Sequence, residues 1–156
     1  MKVLLGRHAV LAGLGVLLVS APARAQTCNG SPTSTRLLVE VVGVKSDRGF
    51  VVGNLFPNDK HRFLEDNGWL TVWREPAKPG AVMLCTWLPG PGYYAVVVFH
   101  DANANGVLDQ GPFGIPEEGY GFSNNVRPFL RAPSLNASRF LAKEGDTMLR
   151  IRLRYP

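Results

Sequence analysis

The chain is poor in the residues on which most recognisable chemistry rests. It holds two cysteines and three histidines in 156 residues. No pair of histidines stands at metal-ligand spacing, which argues against a zinc site built on them. No serine occupies a nucleophile elbow, so a site of the α/β-hydrolase kind is excluded as well. Basic residues never cluster beyond the alternation Arg150, Arg152, Arg154, which falls short of the positive footprint that nucleic acid requires. On a strand, a spacing of two places those arginines together on one solvated face. No internal repeat or low-complexity tract stands out.

Long apolar runs are also missing. The longest, from Ala9 to about Ser20, is well short of the roughly 20 residues that span a bilayer. It follows Met1, Lys2 and Arg7 and precedes Ala23-Arg24-Ala25, the charged, apolar, small-x-small order of a secretory signal cleaved after Ala25. Cys28 as a lipid-bearing residue is the weaker alternative, since Gln26 and Thr27 precede it where small residues belong. Removal of residues 1–25 takes away Lys2, Arg7 and Arg24 and no acid, so 17 basic side chains fall to 14 against 12 acids, a net charge of +2. The expected product is periplasmic or secreted. Its 131 residues suffice for one core and one domain.

Cys28 and Cys85 form an even count, and an oxidising compartment favours their pairing; two buried free thiols are the alternative. The bridge would tie a short N-terminal segment, residues 26–35, to a β-domain over residues 36–156.

From Arg36 onward, short apolar or alternating runs are separated by Gly, Pro, Asn and Asp, a strand-and-turn signature. About seven strands follow, at 36–44, 50–56, 69–74, 81–88, 93–100, 139–142 and 147–155. The last has Leu149, Ile151, Leu153 and Tyr155 on one face and Met148 with the three arginines on the other, as an antiparallel sheet packed on one side requires. The unbroken apolar run 94–99 predicts a central strand buried on both faces, or one whose outer face a loop covers. Residues 57–66 predict at most a short helical turn. The fold class expected is all-β: a single antiparallel sandwich of the immunoglobulin or transthyretin kind. Trp69, Trp73 and Trp87 belong to its core, and Trp69 and Trp73, four apart, suit one face.

Residues 101–135 form one long loop rich in Gly and Pro, and loops of that length are usually functional or disordered. Phe113, Tyr120, Phe122 and Phe129 supply aromatic area to pin it to the sandwich, which predicts order. Its sharpest signal is Asp101, Asn103, Asn105, Gly106 and Asp109, with oxygen side chains at alternate positions before a glycine. Alternate oxygens facing inward, the Val107 carbonyl and a closing Asp109 are how a chain wraps a hard cation such as calcium. Pro112 stands where a bidentate Glu belongs, so the affinity expected is modest and Glu117 or Glu118 would have to complete the set. The competing reading is that Asn105-Gly106 is a turn and the Asp and Asn side chains hydrogen-bond their own backbone. Both stay open at the level of sequence. His100 beside Asp101 suggests an acid and base pair, but adjacent strand residues face opposite ways, so His100 is better read as an anchor of the core or loop. No residue is assigned a catalytic role.

The stretch Leu88-Pro89-Gly90 with Gly92-Tyr93-Tyr94-Ala95, then His100-Asp101 through Asn105-Gly106 to Leu108-Asp109, Gly114-Ile115-Pro116 and Glu118 to Asn125 resembles the secreted bacterial domain-of-unknown-function family 2141. The likeness extends over nearly all of residues 26–156. The Leu-Pro-Gly-x-Tyr-Tyr-Ala stretch is also similar to the strand entry of transthyretin-like and carboxypeptidase-regulatory sandwiches. The resemblance implies export, a sandwich and a shared loop, and supplies no activity. From the residues, the expectation is an exported non-enzymatic binding or accessory module for an envelope or extracellular ligand. Its recognition loop carries His100, Phe113, Tyr120, Phe122 and Asn124, with a weak calcium-type site at Asp101, Asn103, Asn105, Val107, Asp109 and Glu118. The alternatives are a small metal-assisted hydrolase using His100, Asp101 and Glu118, and an envelope structural protein.

Overall fold

The computed structural model describes residues 27–129 and 131–156. The signal-peptide reading lies outside the described residues. Among the described residues eight strands form two sheets: β1 (Thr35–Val44), β2 (Phe50–Pro57), β3 (Thr71–Pro76), β4 (Gly80–Trp87), β5 (Gly92–Asp101), β6 (Gly119–Phe122), β7 (Phe140–Ala142) and β8 (Gly145–Arg152). One sheet runs β4-β1-β8 and the other β3-β2-β5-β6, with β7 also on β5. Each expected strand is present, and β6 is an eighth that lies inside the expected long loop. One pairing departs from the antiparallel rule: β8 lies parallel to β1, from Thr35 opposite Gly145 to Val42 opposite Arg152. Arg36 pins that register by a two-bond ion pair with Asp146 and holds the Asp146 carboxyl below the usual carboxylate range.

Alternation drives the packing. Leu37, Val39 and Val41 of β1, Leu84 of β4 and Ile151 of β8 face Val51, Leu55, Val96 and Val98 of the other sheet, forming one buried cluster between the sheets. Trp73 joins it and lies directly over Gly53, where a Cβ would meet the indole at 2.9 Å. Ala95 and Val97 point the other way, into a second cluster with Phe56, Phe63, Phe122 and Leu135. The connection 57–70 and the segment after β6 therefore cover the outer face of β5, which is why its sequence is apolar without interruption. Trp69 packs on this second cluster, so Trp69 and Trp73 do not share a face. The strand begins only at Thr71, and strand parity does not extend back to Trp69.

Two short strands divide one edge of β5. β7 pairs with Gly92 to Tyr94 and β6 with Val97 to His100. The Ser123 hydroxyl fills the gap, accepting from Val96 N–H at 3.0 Å and donating to the Ser138 carbonyl. Beyond β8 the chain crosses to the other sheet, where Tyr120 and Arg154 exchange two backbone hydrogen bonds of 2.9 and 2.8 Å. At the opposite side Cys28 is bonded to Cys85, and Asn29 adds a short parallel bridge to the edge of β4. Among the described residues no helix is long and apolar enough to cross a membrane.

Candidate functional site

The site lies where β5 ends and the loop 102–118 begins. His100 and Asp101, adjacent on β5, face opposite sides of the sheet, and both are buried, at 2% and 0% exposure. The His100 ring sits between Arg48 of the β1–β2 turn and Tyr155 of the C-terminal segment. Its Nε2 is 2.9 Å from the Arg48 carbonyl and its Nδ1 2.8 Å from the Tyr155 hydroxyl. A carbonyl only accepts, so in the neutral ring Nε2 carries the proton and Nδ1 accepts from Tyr155. Tyr155 Oη in turn accepts the Lys45 N–H at 3.1 Å. Burial pushes the Tyr155 hydroxyl pKa up; the Glu118 carboxylate adds to the rise and the Lys45 hydrogen bond opposes it. His100 thereby fastens the β1–β2 turn and the C-terminus to β5.

Two glycines make this approach possible. Gly49, with φ +67°, has the Asp101 backbone where a Cβ would be, and Gly119 has the Tyr155 ring there. These glycines also explain why β6 is not visible as a strand in the sequence: at Gly119 and Gly121 its inward positions carry no side chain, because Tyr155, Ile151 and the Arg152 carbonyl occupy the space.

Asp101 organises the loop. Its Oδ1 accepts from Asn105 N–H at 3.0 Å and its Oδ2 from Gly106 N–H at 2.9 Å. Asn103 Oδ1 accepts from Asn105 N–H and Asn105 Oδ1 from Val107 N–H, at 3.1 and 3.0 Å. Their amide nitrogens donate to the two oxygens of Asp109, at 2.7 and 2.9 Å. Glu118 closes the base, its Oε1 accepting from Ala102 N–H at 2.9 Å and its Oε2 from Asp109 N–H at 3.3 Å. The loop thus makes the hydrogen bonds that the turn reading describes. Among the described residues no three His, Cys, Asp or Glu side chains gather as a metal site.

Past Asp109 the chain forms a small tip. Gly111 N–H bonds the Ile115 carbonyl at 2.8 Å, and Phe113 adopts a left-handed backbone, φ 67°. Phe113 is 98% exposed, with Ile115 at 60% and Val107 at 57%. The expected pinning of the loop by four aromatics is therefore corrected. Tyr120 and Phe122, edge to face at 5.9 Å, pack on the outer cluster of β5, whereas Phe113 and Phe129 face solvent. Phe113 sits in the short turn Pro112–Gly114, none of whose residues is buried. Asn124 is a brace, donating to the carbonyls of Ala137 and Arg139 at 2.9 Å each.

Beside the tip is a cleft of ≈ 500 Å³ with His100 and Tyr155 at its floor. Lys45 and Arg48 line one wall, and Asp109, Glu117 and Glu118 another. The sequence did not single out Tyr155 and Arg48 as partners of His100, or Lys45 as the donor to Tyr155. They lie 52 to 55 residues away in sequence: the pairing of β2 with β5 brings the β1–β2 turn with Lys45 and Arg48, and the crossing of the C-terminal chain between sheets brings Tyr155.

Among curated proteins and among solved structures nothing matches the chain, and the likeness to transthyretin-type sandwiches is left without a structural counterpart. A family model does match, over residues 39–150, from β1 to β8 and across the whole of this loop. The chain belongs to that bacterial family, described as an uncharacterized protein conserved in bacteria (DUF2141).

Proposed function

We propose that the protein is an exported, non-enzymatic binding module and that the loop 101–118 is its recognition surface. The observation that carries this reading is the contrast within the loop. Its base is closed by hydrogen bonds to Asp101, Asp109 and Glu118, while Phe113 and Ile115 at its tip, and Val107 before it, stand in solvent. A rigid support with exposed apolar groups suits recognition, because little ordering remains to oppose binding. The groups a hydrolase would need are already engaged. Both His100 nitrogens and all four carboxylate oxygens of Asp101 and Glu118 have partners, and His100 faces away from Asp101. The Cys28–Cys85 disulfide supports an oxidising compartment.

The test is crosslinking in living cells with the protein as bait, recovered from the envelope and the medium. The bait is expected to begin at Gln26, and Phe113→Ser with Ile115→Ser is expected to lose the wild-type partner while keeping the thermal midpoint. A bait that retains residues 1–25 removes export; capture unchanged in the double variant removes the tip.

A calcium-class cation is the second component of the proposal, favoured by the alternation of Asp101, Asn103, Asn105 and Asp109 oxygens around one turn. The fit is partial: Asp109 already receives the Asn103 and Asn105 amides, and a cation would have to displace both. Modest affinity follows. Thermal unfolding in excess EDTA, then with calcium at about 100 times its dissociation constant, should show a gain of about 2.7 kcal/mol. Asp101→Ala and Asp109→Ala should abolish the gain. A midpoint indifferent to every divalent ion would leave the loop a self-contained turn.

A further inference from the structure

The molecule has a second exposed aromatic tip, and its surroundings carry the opposite charge. Phe113 is flanked by Asp109, Glu117 and Glu118. Phe129, 82% exposed, lies between Arg127 and Arg131. From Gly119 to Lys143 the chain has four basic residues, Arg127, Arg131, Arg139 and Lys143, and not one Asp or Glu. Arg127 and Arg131 are exposed, and among the described residues neither makes an ion pair with a carboxylate.

The segment is anchored at both ends. At its start the Arg154 guanidinium donates to the Asn125 and Val126 carbonyls, at 3.4 and 3.5 Å, and the Asn125 side-chain amide donates to the Arg150 carbonyl and accepts from Arg152 N–H, at 2.8 Å each. At its end Ser134 caps the short helix α1 (Leu135–Ser138), whose Leu135 is buried in the outer cluster. Pro128 and Pro133 restrict the backbone between these anchors. Arg127, Phe129, Arg131 and Ser134 border an open cleft of ≈ 440 Å³.

We propose that this loop docks the protein on an anionic lipid surface, with Phe129 seated at headgroup depth and Arg127 and Arg131 on lipid phosphates. Charge complementarity selects an anionic partner. The solvent-exposed aromatic selects a bilayer over a soluble polyanion, since only the bilayer offers an apolar layer behind the phosphates. The proposal concerns a different segment and a different cleft from those of the loop 101–118 and stands or falls apart from it.

The test is flotation with vesicles of equimolar phosphatidylglycerol and phosphatidylcholine, against phosphatidylcholine alone, comparing the wild type with variants made in the same chain. Any contribution of residues 1–25 is then common to all. Binding is expected to be stronger to the anionic vesicles. Arg127→Ala and Arg131→Ala should each lower partitioning about fivefold. Phe129→Ser should lower it about tenfold, with Phe129→Leu restoring most of the loss and the thermal midpoint unchanged throughout. Equal binding to neutral vesicles would overturn the proposal. So would anionic binding that Phe129→Ser leaves intact and dextran sulfate competes away, which would make the loop a polyanion site.

Discussion

Gly49→Ala is expected to destabilise the protein by about 3 kcal/mol or more, because two costs fall on one methyl group. Gly49 has φ +67°, a backbone conformation that costs an L-residue about 1–2 kcal/mol. The new Cβ would also overlap the Asp101 carbonyl, with the Ala102 backbone 3.0 Å away, and overpacking of that kind costs about 1–3 kcal/mol. Both neighbours are backbone, so no side chain can turn aside. Gly80→Ala separates the two terms, since Gly80 has φ +96° and nothing within 4 Å. It should lose only the conformational part. Urea unfolding of both variants checks this, and equal losses would mean that the turn and the start of the loop do not press together. The consequence reaches the site, because the same turn supplies the Arg48 carbonyl to His100 and Lys45 and Arg48 to the cleft.

Breaking the Cys28–Cys85 bridge should have the other large effect. The cysteines are 57 residues apart, and closing a loop of that length removes about 4 kcal/mol of unfolded-chain entropy in the simplest model. For a domain of this size the loss corresponds to a fall of roughly 10–15 °C in midpoint. The fall should appear on reduction and in Cys28→Ser/Cys85→Ser. The bridge also holds Asn29 along the edge of β4, where Asn29 N–H bonds the Cys85 carbonyl and Trp87 N–H the Asn29 carbonyl. That edge should therefore lose hydrogen-exchange protection first. A midpoint indifferent to reduction would mean that these backbone bonds hold the segment unaided.

The alternation of Leu149, Ile151 and Leu153 with Met148, Arg150 and Arg152 is enough to set β8 and its buried face, since a strand has one repeat and one direction in which to bury it. The continuous run 94–99 likewise identifies the central strand, because an apolar residue on each face requires cover on each face. Cys28 and Cys85 could pair only with each other. Asp101, Asn103, Asn105 and Asp109 were legible as alternating oxygens, with a turn and a cation site both open, and Glu117 or Glu118 as an acid to complete a cation set; that Glu118 accepts the Ala102 and Asp109 N–H groups is decided by the fold. What the sequence could not determine depends on contacts distant along the chain. Nothing in Thr35 to Val44 says that β8 lies beside it in parallel, because amphipathic alternation is the same for either direction. Gly119 and Gly121 conceal β6, their missing side chains making sense only once Tyr155 and Ile151 are known to fill the space. Aromatic residues in a loop look alike in sequence, yet Tyr120 and Phe122 reach the sheet while Phe113 and Phe129 do not. Local periodicity fixes which face of an element is buried, and only the assembled sheets decide which elements meet and which side chains are left to face the solvent.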